Sequence, residues 1–202
     1  MKCMNFTKEQ YQRAVFLCNS VYKGLAYPDD MKLIKSIRKP SGLKAEVFEC
    51  DNVDYIVFSG TDFTSIRDWC ANIKMALGIK PRQFSDALEL CMEYYNPNKK
   101  TIFCGHSLGG AITEYSVSNI NNDNFIAITF NGAGIKHICV PKYPDNVYHF
   151  ITDRDILNRI MNCMPFAYFK HVGKVIKVKD GQWNGIKSHS NFHAFMQHKI
   201  KY

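Results

Sequence analysis

Apolar and polar residues along the chain are spaced in ways that predict alternating helices and strands. The segment 7–24 begins with Thr and Gln at capping-box spacing and continues with apolar residues at helical intervals, which predicts a helix. Strand-like runs follow at 31–38 and 43–50, and a largely apolar strand is expected at 55–60. Because short turn segments separate these runs, we expect an antiparallel meander before the rest of the fold.

The second half of the pattern alternates between the two periodicities. Helices are predicted over 82–95, 109–120 and 190–199, and strands over 100–105, 124–134, 146–152 and 171–179. Strands that alternate with helices need crossover connections, so the sheet should be mostly parallel and covered on both faces. The fold class expected is therefore α/β, with antiparallel strands at the N-terminal side.

Composition and charge narrow the functional classes. The chain has 202 residues, 46% hydrophobic and 22% charged, which suits a single domain over residues 1–202 with a sizeable core. Its net charge of +8 is spread over short runs, so nucleic-acid binding is not expected, whereas peripheral contact with an anionic membrane is.

The ends of the chain and its cysteines bear on location. The first ten residues contain no apolar leader, and no apolar stretch approaches the ~20 residues of a membrane-spanning helix. Eight scattered cysteines show no metal-ligand spacing, so we expect reduced thiols, no metal and a cytoplasmic protein, with export by a non-classical route as the alternative.

One motif carries candidate chemistry. Residues 105–109 read Gly-His-Ser-Leu-Gly, between the strand predicted at 100–105 and the helix predicted at 109–120. A sharp strand-to-helix turn would lift the Ser107 hydroxyl free of its neighbours, and the crowded turn requires glycine on either side. The backbone N–H groups at the start of the helix would stabilise an oxyanion. The pattern therefore predicts a nucleophilic serine.

An acid and a histidine are expected downstream, at the ends of strands. Asp153 and Asp155 follow the strand predicted at 146–152, and His189 and His193 lie in the loop expected before the last helix. The order serine, acid, histidine is satisfied, but the spacing alone leaves two candidates for each of the two partners.

These segments together resemble the class 3 lipases of the α/β-hydrolase superfamily. The resemblance runs from about residue 43 to 198 and is carried by "IVFSGTDFTSIRDWCANI", "QFSDALEL", "FCGHSLGGA", "ITFNGAG", "HFITDRDIL" and "SHSNFHAF". It implies a three-layer α/β-hydrolase-type fold, with "HVGKVIKV" as a late hairpin and residues 62–73 as a lid.

The same resemblance implies roles for individual residues. Ser107 would be the nucleophile, His189 the base and Asp155 its partner, with His193 and Asp153 in reserve. The backbone N–H groups of Thr61 and Leu108 would form the oxyanion hole.

The resemblance also implies a reaction. We expect an ester hydrolase acting on acylglycerols or phospholipids through an acyl-enzyme, without a cofactor. Two alternatives stay open: a soluble esterase or thioesterase for small esters, and an inactive binding protein that keeps the turn for packing.

Overall fold

A seven-stranded sheet, with its strands ordered as in the sequence, organises the part of the chain that the structure describes. The structure is a computed structural model, and it describes residues 4–60, 82–94, 96, 98–120, 122–135, 145–162 and 170–200. The strands are β1 (Lys32–Arg38), β2 (Lys44–Cys50), β3 (Val53–Phe58), β4 (Thr101–His106), β5 (Phe125–Phe130), β6 (Val147–Thr152) and β7 (Lys174–Val178).

The pairing changes from antiparallel to parallel at the third strand. The pairs β1–β2 and β2–β3 are antiparallel, and all later pairs are parallel. Every residue of β4, β5 and β6 is buried, as expected for central strands covered on both faces. The expected α/β fold with an antiparallel start is confirmed.

Helices cover the two faces of this sheet. They are α1 (Lys8–Lys23), α2 (Arg82–Glu93), α3 (Leu108–Asn119), α4 (Ile156–Asn162), α5 (Gly185–His189) and α6 (Phe192–Gln197). One core cluster joins α2 and α3 to the sheet, and a second joins α1 and α6 to its other face. The three layers expected from the sequence are therefore present.

Local capping explains where the first helix begins. The Thr7 hydroxyl accepts a hydrogen bond from the Gln10 N–H at 3.2 Å, and the Gln10 side chain accepts one from the Thr7 N–H at 3.0 Å. This reciprocal pair satisfies donors that the helix itself leaves open, and it confirms the predicted capping box.

Two expectations about the C-terminal part were wrong. The predicted late hairpin is a single strand, β7, which pairs in parallel with β6 at the edge of the sheet. An exposed edge strand and a hairpin strand share the same alternation of buried and exposed residues, so the pattern did not separate them. His189 ends the short helix α5, where a loop was expected, whereas His193 lies within α6, inside the helix predicted over 190–199.

Four of the eight cysteines lie among the described residues. Cys18, Cys50, Cys91 and Cys104 are buried and carry free thiols. The other four cysteines lie outside the described residues. No helix in the described ranges is both long and apolar enough to cross a bilayer.

Candidate active site

The turn between β4 and α3 holds Ser107 in a backbone conformation that non-glycine residues rarely adopt. Its φ is 61° and its ψ is −123°. Neighbouring backbone is packed so closely that a Cβ on Gly105 would lie 2.3 Å from the Gly109 carbonyl oxygen, and one on Gly109 would lie 2.1 Å from that of Phe58. Both distances are far below contact, so only glycine fits on either side of the serine.

The serine side chain is buried beside the end of β3. Ser107 is 3% exposed, and its Oγ has no hydrogen-bond partner among the described residues. A Cβ added to Gly60 would lie 3.6 Å from the Ser107 Cβ and 3.9 Å from the Leu108 N. Gly60, the last described residue of this segment, therefore lies directly beside the turn. Thr61 itself and the expected lid at 62–73 lie outside the described residues.

A carboxylate and an imidazole meet at the same edge of the sheet. Asp155 follows β6, His189 ends α5, and the Asp155 Oδ2 accepts a short hydrogen bond from the His189 Nδ1. Both side chains are buried. The structure thus brings together one predicted acid and one predicted base. Asp153 and His193 are exposed and take no part in this contact.

Hydrogen bonds stabilise the charged form of Asp155. Its second oxygen, Oδ1, accepts from the backbone N–H and from the side-chain amide of Asn158, each at 2.7 Å. Burial by itself would raise the pKa of Asp155, but the interactions with His189 and Asn158 outweigh it and hold that pKa below its usual value. A buried carboxylate in this position favours one tautomer and orientation of His189.

Two side chains fix the main chain at His189. His106, the residue before Ser107, donates from Nε2 to the His189 carbonyl oxygen at 2.7 Å, and the two rings lie 4.7 Å apart. Asn131 donates from Nδ2 to the same oxygen at 2.9 Å. Burial lowers the pKa of His106 to about 3, so this ring is neutral and adds no charge beside His189. The turn that carries Ser107 is therefore tied to the histidine segment.

Asn131 also binds the end of β6, the strand that precedes Asp155, and the sequence analysis missed this role. It follows β5 with a φ of 45°, and its Oδ1 accepts from the Thr152 N–H at 2.9 Å. The side chain thereby joins the ends of β5 and β6 to α5. The unusual backbone angle suits asparagine better than most residues, but nothing in the sequence "ITFNGAG" distinguishes this asparagine from an ordinary turn residue.

A second buried cluster lies close to this edge. Ligand atoms of Glu114, His149 and His171 fall within 4.8 Å of one another, which raises the question of a metal. The His149 Nε2, however, lies 2.6 Å from the Val172 carbonyl oxygen, which can only accept, so this nitrogen carries a proton. Its Nδ1 is engaged with the Thr129 hydroxyl at 2.7 Å. His149 has no lone pair left for a metal, and the donor set does not fit one.

The sequence matches a family model over most of its length. A model of the Tle-like phospholipase domain, from a phospholipase-like group, matches residues 4–162. Among curated proteins, none matches the chain significantly.

Solved structures match the fold at low sequence identity. The lipase of Rhizomucor miehei in its propeptide complex superposes with a TM-score of 0.59 at 18% identity, over 94% of this chain and 78% of that one. The Lip2 lipase of Yarrowia lipolytica gives 0.59 at 15%, over 88% and 81%. A triacylglycerol lipase of Penicillium expansum gives 0.57 at 17%, over 85% and 78%. At such identities the likeness establishes a shared fold.

Substituting one glycine of the turn tests its packing. We expect Gly109→Ala to lower the free energy of unfolding by more than about 3 kcal/mol, because the new methyl group would overlap the Phe58 carbonyl. The matched control is Gly132→Ala, since a Cβ there would come no closer than 3.3 Å to its neighbours. Urea denaturation of both variants measures the difference. Equal stability of the two variants would contradict the packing described for the turn.

Acid should destabilise the fold through its buried histidines. Burial lowers the pKa of His106 to about 3 and those of His149 and His171 to about 4, against 6.5 when exposed. Burial raises the pKa of Glu114 from 4.5 to about 7. Between pH 4.5 and pH 6.5, the three histidines are protonated in the unfolded chain and neutral in the folded chain. Over the same range Glu114 is protonated only in the folded chain, so the unfolded chain binds more protons overall.

Stability should therefore fall as the pH drops through this window, because the unfolded chain binds more protons. Urea unfolding at about pH 5 should give a smaller free energy than at about pH 7. A free energy that stays constant or grows on acidification would show that these histidines are not buried in the neutral form.

Proposed function

Because this chain belongs to the Tle-like phospholipase domain family and is a class 3 lipase-like carboxylic-ester hydrolase, we propose that Ser107, His189 and Asp155 are its catalytic triad. The observation that carries the proposal is the buried hydrogen bond between Asp155 and His189, tied by His106 to the turn that bears Ser107. An oriented imidazole beside a serine that projects from a strained turn is the arrangement that activates a hydroxyl.

The reaction would proceed in two steps. His189 takes the Ser107 proton as Oγ attacks the ester carbonyl, and Asp155 stabilises the imidazolium that forms. The backbone N–H groups of Leu108, which follows Ser107, and of Thr61, which follows Gly60 in the sequence, would donate to the oxyanion. His189 then protonates the departing alcohol, leaving an acyl group on Ser107. Water, deprotonated by His189, attacks this acyl-enzyme; the bond to the Ser107 Oγ breaks, His189 returns the proton to that oxygen, and the acid is released.

The substrate class is a lipid ester, and we propose an acylglycerol or a phospholipid. The phospholipase description of the matched family supports the second, and the Penicillium expansum structure, a triacylglycerol lipase, supports the first. A soluble esterase or thioesterase for small esters is the alternative. An inactive binding protein is not supported, since the acid and base are joined by a hydrogen bond that packing of the turn does not need.

Domain organisation and location are proposals as well. One lipase-like domain over residues 1–202 is supported by the single sheet that joins strands from Lys32 to Val178. A cytoplasmic location is supported by four buried free thiols among the described residues.

Peripheral contact with an anionic membrane is a further part of the proposal. The Trp183 side chain is 85% exposed, and the Arg154 guanidinium lies 4.3 Å from the centre of its ring. Ile186 and Lys187, exposed on α5, lie within three residues of His189. Tryptophan and basic side chains together favour the headgroup region of anionic lipids. This patch would place the site against its substrate.

Removing the proposed nucleophile is the direct test of the function. Ser107→Ala should lower kcat by at least ~10³-fold on triglyceride, phospholipid and nitrophenyl esters, because no hydroxyl remains to be acylated. Ser116→Ala, a buried serine of α3, is the matched control and should keep wild-type turnover. Hydrolysis of every ester at the wild-type rate by Ser107→Ala would refute the proposed nucleophile. A chain-length series with and without vesicles separates a lipase from a small-ester esterase.

Substituting the exposed tryptophan tests membrane contact. Trp183→Ser should weaken binding to phosphatidylglycerol vesicles by about tenfold, measured by co-sedimentation, and should leave turnover of a soluble nitrophenyl ester unchanged. Met92→Ser is the control, because Met92 is exposed on the last turn of α2, which leads to the opposite end of the sheet from Ser107. Wild-type vesicle binding by Trp183→Ser would show that the patch does not touch lipid.

A further inference from the structure

A row of hydrogen bonds runs from the proposed catalytic acid into the buried cluster behind it. Asn158, whose amide donates to Asp155, lies with its Oδ1 3.0 Å from the His171 Nε2. The His171 Nδ1 lies 3.0 Å from the Glu114 Oε2. The other Glu114 oxygen accepts from the Val172 N–H at 2.6 Å. Two side chains, those of Asn158 and His171, thus connect Asp155 to the Glu114 carboxyl in the middle of α3.

The direction of each bond follows from what each atom can donate. A carboxylate only accepts, so Asn158 must present its amide nitrogen to Asp155 and its oxygen to His171. His171 must therefore carry a proton on Nε2 and donate it to Asn158. In a neutral imidazole the Nδ1 then only accepts, so the bond to Glu114 requires a proton on the carboxyl group.

Burial favours this neutral arrangement over an ion pair. Glu114 is fully buried, and burial raises its pKa to about 7, while burial lowers the pKa of His171 to about 4. The neighbours of the pair are His149, whose Nε2 lies 3.7 Å from Glu114 and whose ring lies 4.3 Å from that of His171, and more distantly Lys177 and Asp155. One proton is therefore held between Glu114 and His171 near neutral pH.

We propose that Glu114, His171 and Asn158 are positioning residues that hold Asp155 in the orientation His189 requires, through one row of hydrogen bonds that depends on a proton shared by Glu114 and His171. The inference rests on the proposed function, since the orientation matters only if Asp155 and His189 act in catalysis. These residues touch neither substrate nor reacting atoms, and they act through Asp155.

Loss of the shared proton should loosen the row. A charged Glu114 would draw the His171 proton from Nε2 to Nδ1, because a carboxylate must be offered a donor. The His171 Nε2 would then face the Asn158 oxygen with a lone pair, and two acceptors repel. His171 would then no longer hold the Asn158 side chain, and the hydrogen bond from the Asn158 amide to the Asp155 Oδ1 would weaken. Turnover should therefore fall as the pH rises above the pKa of Glu114, about 7.

Glu114→Gln separates the proton from the packing. The glutamine amide can donate to the His171 Nδ1 and its oxygen can accept from Val172, so it reproduces the protonated carboxyl without titrating. We expect this variant to keep wild-type kcat at about pH 6 and to lack the fall in kcat that the wild type shows above about pH 7. KM for nitrophenyl butyrate should not change in either protein.

Asn158→Ala tests the last link. It keeps the backbone N–H bond to Asp155 but removes the side-chain amide, so kcat should fall about ten- to hundredfold with KM unchanged. Asn119→Ala is the matched control, because that amide donates to the Tyr115 carbonyl oxygen within α3. The downfield proton resonance of the His189–Asp155 hydrogen bond should shift in Asn158→Ala and not in Asn119→Ala.

The outcomes distinguish the inference from the function on which it rests. If Ser107→Ala is inactive but Glu114→Gln keeps the wild-type fall in kcat at alkaline pH, the row does not depend on the shared proton and the inference is overturned. Wild-type kcat in Asn158→Ala would overturn it as well. If Asn158→Ala does not fold, the pH profile of Glu114→Gln still decides. Activity of Ser107→Ala would instead refute the proposed function.

Discussion

Close backbone packing between β3, β4 and the start of α3 is the constraint on which the rest of the site depends. The Gly109 backbone lies so near the Phe58 carbonyl that no side chain fits between them, and the strained backbone angle of Ser107 persists because this packing holds it. A looser turn would let the serine relax into the sheet or the helix. The acid and histidine segments are arranged around this fixed point, since His106 at the end of β4 and Asn131 after β5 both donate to the His189 carbonyl oxygen.

The site combines rigid packing with buried polar groups that are bonded to one another. Asp155 uses both oxygens and His149 uses both ring nitrogens. Glu114 also uses both oxygens, one accepting from the Val172 N–H and the other bonded to the His171 Nδ1. Such groups are costly to bury unless bonded, so each fixes the position and protonation of the next. The resulting hydrogen bonds give the Asp155 carboxylate beside His189 a defined orientation.

Sequence reasoning reached the parts of this site that depend on local pattern. The turn around Ser107 and the capping box of α1 follow from residue types at fixed spacing, and both are present. Residue types alone left Asp153 and Asp155 open, and the resemblance favoured Asp155 because aliphatic Ile156 and Leu157 follow it. In the structure the Asp155 carboxyl lies against His189, and Asp153 is exposed. The late hairpin was wrong because an edge strand has the same alternation, and α5 is too short for its period to be seen. Asn131 and Glu114 were missed because their partners are distant in the chain.

The central claim is that the hydroxyl at the strained turn is the group acylated by substrate. A crystal structure of the protein treated with a fluorophosphonate tests it most directly, because the reagent forms a stable bond with an activated serine. The account predicts phosphorus bonded to the Ser107 Oγ, the phosphonyl oxygen against the Leu108 N–H, and the His189 ring still bonded to Asp155. An unmodified Ser107, or an adduct on another side chain, would contradict it.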